Sequence, residues 1–301
     1  MAPRKMQVLQ MCLSVKLSNF LWECECRNLS ARTLEHYESA VQKFIGCVGD
    51  KYIGGVTQDD VTGFARHLKD QGHSPGGINH YLRGIRVFLN HCETGLQVRM
   101  LRSPKTEVTP FTEEQIRKLL AQPDQGTFTG LRDYVMMLVM FDTGVRVAEL
   151  CGVCKRDIHG THLAVTGKGD KKRIVPLGKY AQKVLTDYLR QVEDLPPEAP
   201  VFITAHNNPM DRSRFREKIL KYGRAAGIEE VRLSPHTLRH SFARSYLLNG
   251  GDMYSLQSIL GHETLEMSRR YVHLFQNDIL KVHAKYSPSD RLFDKERRKL
   301  K

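Results

Sequence analysis

The chain has 301 residues, 41% of them hydrophobic, and its 46 Lys and Arg outnumber 33 Asp and Glu for a formal net charge of +13. That length favours two domains over one, and the apolar fraction is sufficient for ordinary cores. No run of 18 apolar residues occurs, which excludes a transmembrane helix, while the basic surplus points to nucleic acid or another polyanion as partner. The start, MAPRKMQVLQMCLSVKL, is basic but has no clean apolar stretch or small-residue cleavage site, so it reads as mature protein in a cytoplasmic setting. Seven cysteines, an odd number in a long chain, read as reduced thiols rather than a disulfide framework. Cys151-x-x-Cys154 has a zinc-type spacing, but no second such pair follows and Cys24-x-Cys26 is poorly spaced. No metal site and no cofactor are expected.

From about Leu17 to Cys92 the pattern is helical. Leu34, Tyr37, Val41, Phe44 and Ile45 recur at helix spacing after a Ser30 or Thr33 start. TQDDVTGFARHLKDQG opens on Thr57-x-x-Asp60 and ends at Gly72. SPGGINHYLRGIRVFLNHC has Ser74 as its cap and Pro75 in the first turn, with Ile78, Leu82, Ile85, Phe88 and Leu89 on the apolar side. Its other side carries Asn79, Arg83 and Arg86, which suit either a solvated face or a groove-facing one. A small all-helical domain over 15–95 follows from this. Residues 94–110 lose the helical period and gain Gly, Pro and basic side chains, as an interdomain linker does, with the linker proper at 96–110.

The second domain, 111–287, opens on a capping-box spacing, Thr112 to Gln115. LRDYVMMLVMFDTGVRVAELCGV reads as a mostly apolar helix stopped near Gly144 and resumed after it. LAVT and RIVPL flank Gly167-Lys168-Gly169-Asp170 and predict a β-hairpin. Helices are expected at about 178–192, 211–226, 235–249, 253–260 and 265–272, and a charged tail at 288–301. The fold class is mainly α with one small β-hairpin, an α+β arrangement.

Several polar residues sit at odd places. Arg146 lies inside an apolar run just after a helix break, where burial is costly without a carboxylate or an anion; Glu149 is placed to orient it. Lys168 stands between two glycines at the hairpin tip. Ser234-Pro235 starts a helix that brings His236, Arg239 and His240 to one face, a grouping suited to a phosphate. Taken singly, each fits a plainer role: a solvated hairpin lysine, a capping histidine, an arginine paired with a carboxylate, a core histidine. His262 follows Gly261 at a helix end, and Tyr271 follows nine residues later.

The order Arg, hairpin Lys, His-x-x-Arg, Gly-His, Tyr gives these residues a joint meaning. In TGVRVAEL, VTGKGDKKRIVPL, SPHTLRHSFA, LLNGGDMYSLQSILGH and SRRYVH the second domain resembles the tyrosine recombinases of the phage-integrase family, and most closely their short Xer-type members. The first domain resembles that family's helical core-binding domain through LSARTLEHYESAVQKF and GINHYLRGIRVFLN, so the likeness covers roughly residues 15–288. It implies a helical SAM-like core-binding domain followed by a tyrosine recombinase catalytic domain. It implies DNA strand cleavage and rejoining through a 3′-phosphotyrosyl link, without metal or ATP. Tyr271 would be the nucleophile, Arg146 and Arg239 would clamp the non-bridging oxygens, and Lys168 would protonate the leaving 5′ oxygen. His236 would help take the tyrosine proton, His262 would hydrogen-bond the phosphate, and His240 would support that face from behind. Partners implied are double-stranded DNA with a specific recombination site and a homotetramer on two sites, or one shared with a paralogous recombinase, in the nucleoid. Arg83, Arg86, Lys171, Lys172, Arg212 and Arg214 are candidate DNA contacts. Ile279 and Val282 are candidates for packing onto a neighbouring protomer. The absence of a separate N-terminal arm-binding domain leans toward a simple Xer-like architecture, which small element-encoded integrases share, while the cysteines and basic tail lean toward a mobile-element enzyme; dimer resolution and integration share the same chemistry. A type IB topoisomerase-like nicking-closing enzyme and a non-catalytic DNA-binding regulator are the alternatives on this scaffold.

Overall fold

A computed structural model describes residues 11–103, 108–167, 172–261, His283 and Ser287, and the structural statements below concern these residues. The chain divides into two compact units, 1–106 and 107–301.

The first unit is built from four helices: α1 (Leu13–Cys26), α2 (Ala31–Val48), α3 (Gln58–Asp70) and α4 (Pro75–His91). Their starts follow from local side-chain chemistry. Ser30 Oγ accepts from the Thr33 N–H, Thr57 and Asp60 form a reciprocal capping box, and Ser74 caps α4 with Pro75 in its first turn. Phe20, Phe44, Phe64 and Phe88 meet in the core with Leu17, Ile85 and Leu89. Asn79 is a correction to the expected polar side of α4. It is buried, and its amide both donates to the Leu101 carbonyl at 2.9 Å and accepts from the Leu101 N–H at 2.8 Å. A buried amide survives because both its ends are satisfied. Gln58 does the same for Gln97, at 2.9 Å in both directions, and Val98 enters the core. The early part of the expected linker is therefore fastened to the first unit.

The second unit forms around α6 (Phe128–Thr143), which packs α5 (Glu113–Leu120), α8 (Lys179–Arg190) and α10 (Pro235–Leu248) about itself. Val135, Met136, Met137, Val139 and Met140 are all buried, as an apolar-all-round helix requires. Thr112 and Gln115 form the capping box of α5. α6 stops at Gly144, which is left-handed at φ 62°, and α7 (Val147–Cys151) resumes the path. Strands β1 (His162–Thr166) and β2 (Lys172–Pro176) pair antiparallel, Leu163 opposite Val175 and Thr166 opposite Lys172. α9 (Arg212–Ala225), α10 and α11 (Met253–Leu260) follow, near the expected bounds. The helix expected at 265–272, residues Ile279 and Val282 and the 288–301 tail lie outside the described residues.

One buried ionic cluster had no sequence signal. Arg132 and Asp133, 2% and 0% exposed, bind each other through two hydrogen bonds of 2.9 and 2.6 Å inside α6. Arg132 also donates to the Ile203 carbonyl at 2.7 Å, and Tyr222 donates to Asp133 at 2.9 Å. Burial, reinforced by the neighbouring Asp133 carboxylate, raises the Tyr222 phenol above its ordinary range. The cluster ties α6 to α9, and satisfied partners make its burial tolerable. Among the described residues, no helix is long and apolar enough to cross a membrane.

Candidate active site

Three elements supply the site: the α6–α7 break, the start of α10 and the end of α11. Arg146 precedes α7 as its N-cap residue. Its backbone N–H donates to Glu149 Oε2 at 2.9 Å and its Nη1 to Glu149 Oε1 at 2.8 Å. Its Nη2 donates to the Gly261 carbonyl at 2.9 Å. The Arg146 side chain remains 36% exposed, whereas Glu149 is only 5% exposed. Burial works against ionising Glu149, but hydrogen bonds from Arg173 and Arg146 outweigh it and hold the carboxyl below its ordinary value.

Arg239 comes from the first turns of α10. Ser234 caps that helix by accepting from the Thr237 N–H, with Pro235 at its start. One helical turn on, Arg239 is buried at 7% exposure. It donates to the Gly144 carbonyl through Nη1 and to the Leu260 carbonyl through Nη2 at 2.8 Å. Arg146 and Arg239 therefore end on consecutive carbonyls at the C-terminus of α11. A helix C-terminus leaves its last carbonyls without intrahelical donors, and the macrodipole makes them partially negative, which suits guanidinium donors.

His236 is exposed at the head of α10. Partial desolvation, and then the positive charges of Arg239, Arg232 and Arg146, keep its imidazole below its ordinary value. At neutral pH it is a neutral ring with an acceptor nitrogen. His240 is half-buried one turn further along α10.

Two glycines make this convergence sterically feasible. A Cβ on Gly144 would stand 2.3 Å from Phe242 and 2.7 Å from Leu260. Gly261, left-handed at φ 63°, ends α11 with Arg173 against it, and a Cβ there would be 2.9 Å from Arg173 Cδ.

Arg173 went unremarked in the sequence. On β2 it alternates with exposed Lys172 and Ile174 and shares the inward face with buried Val175. The period-2 pattern was the available signal: an inward arginine beside an outward isoleucine.

Of the other expected site residues, Lys168, Lys171, His262 and Tyr271 lie outside the described residues. His262 directly follows Gly261, so the chain reaches it from the turn that holds both arginines. Arg83 and Arg86 are exposed on α4, and Lys172 is exposed on β2. Arg212 and Arg214 are exposed in the first turn of α9, where Arg214 pairs with Asp211 at 3.2 Å. Cys151 and Cys154 are buried. Cys154 Sγ donates to the Glu198 carbonyl at 3.0 Å, and burial pushes the Cys151 thiol up to about 11. Thiols held protonated in this way are poor metal ligands. Among the described residues, no group of three or more potential ligands is assembled.

Comparison with known proteins identifies the family. The phage integrase family matches residues 110–278, and the phage integrase N-terminal SAM-like domain matches residues 17–95. The chain is 30% identical over 282 residues to the tyrosine recombinase XerD of Listeria monocytogenes serovar 1/2a, covering 87% of this chain and 94% of that protein. It is 37% identical over 254 residues to XerD of Xanthomonas axonopodis pv. citri, covering 78% and 83%. Its fold is shared with a lambda integrase(75-356) dimer solved on a COC′ core site, at TM-score 0.71 and 20% identity, covering 85% of this chain and 97% of that one. On the strength of its catalytic-domain match and of relatives aligned along most of its length, the chain belongs to the phage integrase family.

Proposed function

We propose that this enzyme is a site-specific tyrosine recombinase that cuts and rejoins double-stranded DNA through a 3′-phosphotyrosyl intermediate. One observation carries the reading of the site: Arg146, just before α7, and Arg239, within α10, are anchored on the consecutive carbonyls of Gly261 and Leu260. Such a pair offers fixed, forked donors to the two non-bridging oxygens of one phosphodiester.

In this reading Tyr271 Oη attacks the scissile phosphorus while its proton passes toward His236. The neutral imidazole described above is suited to accept it. The bond to the 5′ oxygen breaks as the Tyr271–phosphorus bond forms, and Lys168 donates a proton to that leaving oxygen. His262 hydrogen-bonds the phosphate. Charge accumulating on the equatorial oxygens is met by Arg146 and Arg239, which need not reorganise because protein carbonyls already hold them. The phosphotyrosyl link conserves the bond energy, so a 5′ hydroxyl from either duplex can reverse the step without a nucleotide. The partner is duplex DNA bearing a recombination site, and a homotetramer on two such sites, in the nucleoid, exchanges the strands. Arg83, Arg86, Lys171, Lys172, Arg212 and Arg214 serve as phosphate or groove contacts. Basic side chains exposed in both units support that assignment.

The test uses DNA flanking the gene, as supercoiled plasmid and as nicked suicide duplexes, with wild-type and Tyr271→Phe protein on denaturing gels. The expected result is a covalent adduct with wild type only, equal binding by both proteins, and recombinant plasmid products. Adduct formation by Tyr271→Phe would reject Tyr271 as the nucleophile, and plasmid relaxation without recombinants would reject strand exchange.

A further inference from the structure

We infer that Arg173 is a positioning residue for cleavage: its guanidinium shares the Glu149 carboxylate with Arg146, and so fixes Arg146 while leaving its charge available to the scissile phosphate. This rests on the reading of Arg146 as a phosphate clamp.

The geometry is specific. Arg173 forms a bidentate pair with Glu149, Nη1 to Oε1 and Nη2 to Oε2, both at 2.8 Å. Its Nε donates to the Ile259 carbonyl at 2.9 Å, and the side chain is only 14% exposed. Each Glu149 oxygen thus receives two donors, one from Arg173 and one from Arg146. Arg173 also lies against Gly261, whose carbonyl accepts from Arg146 Nη2. Both anchors of Arg146, the carboxylate and the Gly261 peptide, are therefore in contact with Arg173.

The electrostatic consequence follows from counting charges. One carboxylate between two guanidiniums leaves the trio with a net positive charge. Without Arg173, the buried Glu149 would be left to Arg146 alone. The pair would tighten, and Arg146 would approach a neutral ion pair instead of an anion receptor. A lysine keeps the charge at this place but cannot reproduce three fixed donors aimed at two oxygens and a carbonyl.

The experiment measures single-turnover cleavage of the nicked suicide duplex by full-length wild type, Arg173→Gln and Arg173→Lys at saturating DNA. DNA affinity and melting temperature are measured in parallel. Both variants should cleave roughly ten- to a hundred-fold more slowly, the scale expected when a catalytic group is misplaced by about an ångström. Their DNA affinity should stay within about two-fold of wild type, since Arg173 touches protein and not DNA in this scheme. Adding Glu149→Gln to Arg173→Gln should recover part of the lost rate, because it removes the carboxylate that Arg146 would otherwise hold alone. Wild-type cleavage by Arg173→Lys would overturn the inference. So would a double variant no faster than Arg173→Gln, which indicates a merely structural bond. Should Arg173→Gln fail to fold, the Arg173→Lys rate decides. If wild type itself forms no Tyr271-dependent adduct, the recombinase reading fails first and the inference falls with it.

Discussion

The side chain of Arg239 shows how one residue is both structural and chemical. It is buried, and the acceptors it reaches include two backbone carbonyls that belong to separate helix ends. Arg239→Lys keeps a cation but cannot span both carbonyls, so at least one is left unsatisfied at a cost of about 1–3 kcal/mol. In the proposed reaction the same change also removes the paired donors that would face the phosphate. Cleavage of the suicide duplex should fall by roughly a hundred- to a thousand-fold, the usual effect of losing a preorganised oxyanion donor. A variant within a few-fold of wild type would reject the clamp role. At this scale the sequence was legible where the chemistry is local. Glu149, three residues from Arg146, was visible as its partner because adjacent helix positions meet. Asn79 was not legible as a buried residue, since its polar partner is Leu101, far along the chain. Arg173 was missed for the same reason: its acceptors lie on α7 and α11, and no local pattern names them.

Among the secondary elements, the break between α6 and α7 sets the geometry. A straight helix through this stretch could not give up the Gly144 carbonyl to Arg239. Gly144 accepts the left-handed turn, and it lets Phe242 and Leu260 close in where a side chain would collide. Gly144→Ala combines strain in the left-handed region with over-packing, and should cost roughly 2–5 kcal/mol. A urea melt should show the midpoint shifting accordingly, and an unchanged midpoint would mean the break can relax without loss. Element starts were the most readable features of the sequence. Ser30, Thr57, Ser74, Thr112 and Ser234 all cap the helices expected of them, because capping depends on side chains two or three residues from the end. The hairpin was equally readable from two β-prone runs around a Gly-rich turn. The Arg132–Asp133 cluster within α6 was not, as its burial depends on Ile203 and Tyr222 arriving from elsewhere.

For the molecule as a whole, charge is the governing quantity. A formal net charge of +13, with exposed arginines in both units, makes counterion release a large part of DNA affinity. Log affinity should fall linearly with log salt, losing roughly a thousand-fold or more between about 50 and 200 mM if six or more phosphates are contacted. Titration of a Tyr271→Phe protein on duplex DNA by fluorescence anisotropy would show it, and a flat salt response would argue against an extended interface. Length and the loss of periodicity after the fourth helix were the sequence signals for two domains. The fastening of residues 97–101 to the first unit had no such signal, because the side-chain amides of Gln58 and Asn79 bind there to backbone groups of Gln97 and Leu101, which carry no sequence identity.

The end of α11 is a shared anchor of the candidate site. Its last carbonyls, Ile259, Leu260 and Gly261, receive Arg173, Arg239 and Arg146 in succession. Three cations that sequence scatters over the chain are thus moored to one turn of an eight-residue helix. Displacing that turn would loosen all three together, leaving Arg146 and Arg173 on Glu149 and Arg239 on the Gly144 carbonyl. The three guanidiniums are therefore coupled through one shared anchor. In sequence Tyr271 lies ten residues beyond Gly261, so the proposed nucleophile follows directly from the turn on which the three arginines converge.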